Sequence, residues 1–522
     1  MVDAKQVFRE LKLHGLTLHS DALKRLLSEL TNQPTLVLED VVFAIKNSID
    51  RSKLKTSVVT QDALESALDT LLNVSSDNDY QCIQVFNAFE QPKLVYHPST
   101  KSYEVSADPS RKLHASSTHR LSLYRERFAA LERRVLRHKS FAKPVASTTR
   151  QYNFQDISRI ESLLGVTGTK RVLGMLGQDE RKRVYLEDMT SRIYLDVSEA
   201  KFTNGIFTSS CIVLVEGQVL DDVFHVETIG SPPPELREQS LHVLSGVDAL
   251  GVEVSTQQLA QIKQLESEQE LDCFVVLSDV HLDEPDVLKR LDALFSGYEP
   301  FTPTLFIFMG NFTSTRVGYG YGAESTTIRT LKQLFDDLAT LILKYPALVE
   351  KSQFLFVPGP NDPGAPDVVP RHALPTVCTE DFIRRIPSAI MSSNPCRVRY
   401  YTKDFVIYRD DLQHKMSKAS LFPLSTDTGS NDVSRHLVKT LVDQGHLCPL
   451  PIPARPIHWA YDSSLQLFPL PAVLILADKC DQFQVNYAGV SVFHPGPFHV
   501  DYSFVLYRPS TNTAEISRVD LD

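Results

Sequence analysis

The chain has 522 residues, 42% of them hydrophobic and 23% charged, with a formal net charge of -10. That length exceeds what one hydrophobic core supports and implies about two to four domains of ordinary folded composition. The acidic balance argues against a freestanding nucleic-acid binder, although it leaves room for local basic patches.

Seven cysteines at 82, 211, 273, 378, 396, 448 and 480 form no CxxC pair. A zinc knuckle or redox dithiol is therefore not expected, and scattered thiols fit a reducing compartment. The opening "MVDAKQVFRELKLHG" is charged and has no apolar signal core. No run approaches the ~18 apolar residues of a membrane span. These features predict an intracellular, soluble, multidomain protein with no membrane contact.

Residues 1–74 read as a small helical domain. Leu23, Leu26, Leu27 and Leu30 follow the helical repeat behind Ser20 as N-cap, and residues 5–12 add a short first helix. Leu38, Val42, Ile45 and Ile49 form a further stripe, as do Leu64, Ala67, Leu68 and Leu71. Residues 75–148 read as a linker containing one good helix at 119–139, whose Leu121, Tyr124, Phe128, Leu131 and Val135 make an apolar seam. The arginines between them are either a solvated face or phosphate contacts.

From 149 to 235 the pattern changes to strands: "KRVLGMLGQ", "KRVYLEDM", "RIYLDVS", "CIVLVEGQVL" and "VFHVETIG". A non-strand insert, "EAKFTNGIFTSS", follows the third. Five strands with an insert there predict an OB-type barrel. Such barrels bind single strands through aromatics and cations, or dock proteins. Few exposed aromatics recur regularly here, which favours docking.

A linker at 236–265 leads to a helix at 255–270, and residues 266–522 then read as a layered α/β domain. Apolar strands recur as "CFVVLSD", "TLFIFMGN", "QFLFVPGP" and "AVLILAD", with helices between the first three. Ligands in such folds sit beyond the carboxyl ends of the strands. There stand Asp279 and His281, then Gly310-Asn311, then Pro360, Asn361 and Asp362, then Lys479 and Asp481.

Five stretches carry a family resemblance: "IFMGNF" (307–312), "LFVPGPNDPG" (355–364), "SNPCRV" (393–398), "DQGHLCPLP" (443–451) and "LILADKCD" (474–481). With the helical, OB and α/β order, the whole chain resembles the B subunits of the replicative DNA polymerases, and most of all the second subunits of polymerase epsilon. The resemblance implies an OB domain followed by a calcineurin-like phosphoesterase fold. A working enzyme of that fold holds two metal ions about 3.5–4 Å apart. Against its ligand pattern, Asp279 and His281 remain. Asn311 replaces the bridging carboxylate, Pro360 a metal-ligating Asn, Asn361 the catalytic His, and Lys479 a metal-binding His. Asp362 and Asp481 are the remaining acids of the third and last motifs, and Gly445-His446 echoes a Gly-His motif. Proline offers no side-chain donor, and an amide cannot act as a general acid at neutral pH.

The expectation is a degenerate, non-catalytic fold with no cofactor and no metal. A residual single-metal site on Asp279, His281 and Asp362 is an alternative, as is an active metal-dependent phosphoesterase or nuclease on DNA ends. A single-stranded-DNA-binding OB protein is a third. The resemblance implies a nuclear accessory subunit in DNA replication, holding the C-terminal domain of the polymerase epsilon catalytic subunit. It further implies small histone-fold subunits in the same complex and indirect DNA contact. The N-terminal domain, similar to the lid of AAA+ ATPases, would reach the replicative helicase through the GINS complex; no GxxxxGK[ST] accompanies it. Trp459, the single tryptophan, and Tyr461 stand in a proline-rich segment. They suit either a partner anchor or a packed crossover loop.

Overall fold

The computed structural model describes residues 4–13, 17–32, 58–59, 81–106, 111–142, 155–163, 165–252, 256–318, 326–364, 367–425 and 432–520, with isolated positions between 38 and 65 and at 254. It divides into two compact units, Met1–Gln84 with Val252–Glu270 and Tyr400–Thr402, and Val85–Gly251 with Leu271–Arg399 and Lys403–Asp522. Among the described residues no helix is long and apolar enough to cross a membrane.

In the first unit, helices Ala4–Leu13 and Ser20–Asn32 flank a two-residue strand that pairs in parallel with Val58–Val59. Val7, Leu11, Ala22, Leu26, Leu38, Ile45 and Leu64 share one buried cluster, with Leu23 and Leu27 partly buried against it. The inward edge of the second helix is therefore Ala22 and Leu26. The rest of the two later leucine stripes lies largely outside the described residues. Near the end of helix Thr256–Glu268, Glu266 accepts from the Thr402 amide at 3.2 Å and its hydroxyl at 2.5 Å.

The second unit contains a barrel. Strands Lys170–Gln178, Val184–Glu187, Arg192–Asp196, Ile212–Leu220 and Val223–Gly230 pair so that the fourth meets both the first and the fifth, and the fifth meets the third. Alternation sends Val172, Leu176, Leu186, Ile193, Leu195, Val213, Val215, Phe224 and Val226 inward. Between Glu216 and Gly217 the register shifts in a bulge, and a Cβ on Gly217 would meet the His225 carbonyl oxygen at 2.1 Å. Glycine is required there by close backbone approach.

The remainder is a sandwich of two sheets between helices. One sheet runs Ala389–Met391, Gln353–Val357, Leu305–Met309, Phe274–Ser278, Ser503–Arg508, Thr513–Arg518, the first four parallel. The other includes Phe483–Tyr487, Val490–His494, Val473–Ala477 and Lys403–Arg409 as neighbours. So "AVLILAD" belongs to a second sheet, not to the sheet of the first three apolar strands. Phe274, Phe405, Phe493 and Tyr507 fill the space between the sheets, with centroids 5.4–5.7 Å apart in the closer pairs. Helices Pro285–Tyr298, Ile328–Ile342 and Thr376–Arg385 cover the outer face of the first sheet, and Leu412–Ala419 and Val433–Gln444 that of the second.

On the first sheet Phe308 and Phe356 stack at 5.0 Å, and Phe335 and Phe382 meet Phe356 edge-on at 5.8 and 5.3 Å. Phe356 is fully buried. Its truncation leaves a cavity that rigid strands cannot close. Phe356→Ala is expected to cost about 3–5 kcal/mol, read as a lower urea midpoint by fluorescence of the single tryptophan.

Candidate functional site

Parallel pairing brings the carboxyl ends of the Phe274, Leu305 and Gln353 strands together, and the Lys403 and Val473 strands deliver theirs from the second sheet. Asp279 has φ +50° and is 2% exposed. One carboxylate oxygen accepts from the Asn311 side-chain amide at 2.8 Å and from the Arg409 Nη2 at 2.7 Å; the other accepts from the Ser278 hydroxyl at 2.8 Å.

Arg409, the last residue of its strand, is fully buried. Its Nε donates to the Gly310 carbonyl at 2.8 Å, and its Nη1 to Asp411 at 2.8 Å. Burial alone would lower its pKa, but the Asp279 and Asp411 carboxylates outweigh burial and raise it. The cation that neutralises the old ligand position is therefore Arg409. Lys479, which the resemblance sets in place of a metal-binding His, is 61% exposed and pairs only with the rim acid Asp411 at 3.1 Å among the described residues.

Asn311 is turned with its NH2 toward Asp279, and its Oδ1 accepts from the Asn361 amide at 2.8 Å. Only this orientation satisfies both neighbours. Asp362 is buried behind the loops, accepting from the Phe312 amide at 2.9 Å and the Gly359 amide at 2.7 Å; burial raises its pKa to about 6. Pro360 is half-buried, and Asp481 is exposed. A Cβ on Gly310 would meet an Asp362 carboxylate oxygen at 1.9 Å, and one on Gly359 would meet Asn311 Oδ1 at 2.6 Å. These loops need glycine to pack on each other, whatever their chemistry.

His281 Nδ1 lies 2.9 Å from Glu284, and its ring stacks on His499 at 3.8 Å. His499 and the buried His494 escaped the sequence reading, although "FHPGPFH" (493–499) places both beside a turn. His494 Nδ1 accepts from the Gly496 amide, and its Nε2 lies 2.8 Å from the Asp478 amide; burial lowers its pKa to about 4. Asp478, raised to about 6 by burial, accepts from the Gln413 and Lys479 amides. Gly445-His446 does not join the cleft. His446 is buried elsewhere, 3.2 Å from Asp462, which also takes the Arg127 fork.

Asp279, His281, Asn311, Ser314, Asn361, Lys479, Pro497, His499 and Val500 line a cleft of about 270 Å³. The two metal ions that a phosphoesterase fold implies do not fit this set. A guanidinium already occupies Asp279, the amide presents its NH2 to that carboxylate, and Asp362 is spent on backbone amides. Among the described residues no three His, Cys, Asp or Glu side chains converge as ligands.

A family model for the DNA polymerase alpha/epsilon B subunit matches residues 274–485, and one described as DNA polymerase epsilon subunit 2-like, OB-fold domain, matches 117–233. The DNA polymerase epsilon B subunit of Arabidopsis thaliana is 35% identical, with 98% of each chain covered, and DNA polymerase epsilon subunit 2 of Mus musculus is 34% identical, with 97% of each covered. The chain belongs to the DNA polymerase epsilon B-subunit family. A solved structure of an archaeal phosphodiesterase aligns with 47% of this chain and 98% of its own at 11% identity and a TM-score of 0.27.

In this member of the epsilon B-subunit family the "DQGHLCPLP" stretch is a joint. The Gln444 side chain accepts from the Ile212 amide and donates to the Ile212 carbonyl, both at 2.8 Å, so it clamps the barrel's fourth strand. The barrel insert docks on the same helix: the Gly205 amide donates to His436 at 2.9 Å, and the Ile206 amide to the Thr440 hydroxyl at 2.8 Å. Tyr461 is 9% exposed, edge-on to Phe89 at 5.0 Å, and Trp459 packs half-buried against the second sheet's core. Both are used in internal packing. On the barrel, Tyr185 and Tyr194 face each other across strands, but Arg183 lies over Tyr194 at 4.3 Å and Arg192 over Tyr185 at 5.0 Å. Each guanidinium competes for a ring face on which a base would stack.

Removing Arg409 leaves a buried carboxylate without its cation. Arg409→Met is expected to cost about 3–5 kcal/mol, and Asp279→Asn combined with Arg409→Met less than the sum of the two single changes, in a urea-unfolding double-mutant cycle. Asp362 and Asp478, with folded pKa values near 6, hold protons that an unfolded Asp near pKa ~4 has released. Their stability contribution is present below about pH 4 and lost as pH rises through about 6. Carboxyl carbon NMR, with Asp362→Asn and Asp478→Asn as assignment controls, is expected to find both titrating near 6.

Proposed function

We propose that this chain is a non-catalytic accessory subunit of DNA polymerase epsilon. It would stabilise the catalytic subunit by holding that subunit's C-terminal domain and act in chromosomal replication in the nucleus. Full-length relatedness to the epsilon B subunits is the observation that carries this reading. The site chemistry supports it: Arg409 in the ligand position, Asn311 for a bridging carboxylate, and Pro360 and Asn361 for a ligand and an acid leave no two-metal hydrolysis to perform.

The finer assignments are part of the same proposal. The N-terminal helical unit would contact the helicase through the GINS complex, and small histone-fold subunits would share the complex. DNA would be reached through these partners rather than by the barrel, whose outward tyrosines are engaged by Arg183 and Arg192. The barrel and the two-sheet sandwich, joined through Gln444, His436 and Thr440, would supply the docking surface.

Co-expression with the C-terminal domain of a polymerase epsilon catalytic subunit is expected to yield a stoichiometric pair that survives gel filtration in high salt. Failure to form it would count against the docking role. Incubation with Mn²⁺ and phosphodiester or 3′-ended DNA substrates is expected to give no turnover that Asp279→Ala abolishes; such turnover would overturn the non-catalytic half.

A further inference from the structure

A second cavity, of about 380 Å³, lies between helix Ser117–Arg137 and the hairpin Lys93–His97/Ser102–Ser106. Leu94, Leu131, Leu467 and Phe468 give it an apolar lining, and Met189 of the barrel, 55% exposed, stands at its edge. Its charged lining is one-sided: Lys93, Arg125, Arg127, Arg133, Arg134 and Arg137 against Glu126 alone.

Some of these cations are satisfied. Lys93 pairs with Glu126 at 2.7 Å, Arg127 with Asp462, and Arg137 with Glu235 at 2.8 Å. Three are not matched by a carboxylate. Arg125 is exposed and has no partner among the described residues. Arg133 rests on the Tyr96 ring at 4.6 Å, with its buried Nε unbonded.

Arg134 is the sharpest case. It is 8% exposed, its Nε is buried and unbonded, and its Nη2 reaches only the Asp443 backbone carbonyl. The two nearest acids are spent elsewhere: the Asp443 carboxylate on Lys439 and Tyr487, and Glu235 on Arg137 and Ser240. Burial accordingly pulls its pKa down to about 10. A buried guanidinium with unmet donors is costly, and a carboxylate offers the fork that satisfies it.

We propose that this groove binds an acidic peptide segment of a partner protein, seating a large apolar side chain on Leu131 and Phe468 and a carboxylate on Arg134. Charge complementarity selects an acidic partner. The apolar lining selects a peptide over a polyphosphate chain, since sugar-phosphate has nothing to bury there. The volume fits a small number of anchoring side chains, in the range of ordinary ligand clefts. The groove's chemistry is independent of the role proposed above.

The test is selection of a random peptide display library on the full chain, followed by anisotropy with labelled copies of the enriched peptides. Enrichment of Asp or Glu within a few positions of Leu, Phe or Met is expected. Met189→Glu and Arg125→Glu, both on exposed side chains, are each expected to weaken binding at least tenfold, and Arg134→Gln to do the same if its thermal midpoint shows it folded. The proposal is overturned by enrichment without acidic residues, by affinity unchanged in Met189→Glu and Arg125→Glu, or by displacement of the peptide by oligodeoxythymidylate at low concentration, which would assign the groove to single-stranded DNA.

Discussion

One buried guanidinium governs the polar end of the sandwich. Arg409 leaves the second sheet and ends on two loops of the first, at the Gly310 carbonyl and the Asp279 carboxylate, while a third bond returns to Asp411. A fully buried charge is tolerated when it is paired and its donors are met. Here the pairing also ties the two sheets at their carboxyl ends, beyond the aromatic layer of Phe274, Phe405, Phe493 and Tyr507. The contrast with a two-metal centre is one of charge. Two dications require several carboxylates to balance them, whereas Arg409, with Lys479 at the rim, is balanced among the described residues by Asp279 and Asp411 alone. An amide at 311 is what such a site can bear, because a carboxylate there would leave an uncompensated negative charge beside Asp279.

The loop motifs acquire a packing explanation from the same geometry. Gly310 and Gly359 let two strand-end loops touch backbone to side chain, with no room for a Cβ. Asn394 completes the arrangement from a third loop: its amide donates to the Pro358 and Arg409 carbonyls at 2.8 and 2.6 Å, and its oxygen accepts from the Arg409 amide at 3.1 Å. The residues that look like remains of catalysis thus hold Arg409 and its loops in place.

How much of this was legible in the sequence depended on whether the signal was local. The barrel strands were readable because inward and outward residues alternate within each strand. Asp279 and Asn311 were readable because each ends an apolar strand. Arg409 was not: "VIYRDD" gives no local sign that the arginine will fold inward, and its partner Asp279 is 130 residues away. The second sheet was obscured for a related reason. Its strand Cys396–Tyr400, next to Lys403–Arg409, carries Arg397 and Arg399, which break the apolar pattern yet are housed, Arg397 by Gln91 and the Gln466 carbonyl, Arg399 by the distant Asp248 and by Asp404 of the neighbouring strand. The Gly-His reading at 445–446 failed because the dipeptide caps a helix, with Gly445 at φ +60°, and sends His446 toward Asp462.

The joint between barrel and sandwich has a consequence for docking. Apolar packing supplies area, with Ile206 in the helix-side core of the second sheet and Phe422 against Phe202 in the barrel, and directional polar contacts fix the angle: both hydrogen-bonding groups of the Gln444 amide on Ile212, His436 on Gly205 and Thr440 on Ile206. Each bond contributes only about 0.5–1.5 kcal/mol net, but leaving one of these buried groups unpaired costs about 1–3 kcal/mol. The apolar part alone would tolerate sliding, because its free energy follows area rather than angle. The hydrogen bonds penalise any rotation that breaks one without supplying another. The barrel and the sandwich therefore present a single preorganised surface, and a partner that spans both does not have to fix their relative orientation as it binds.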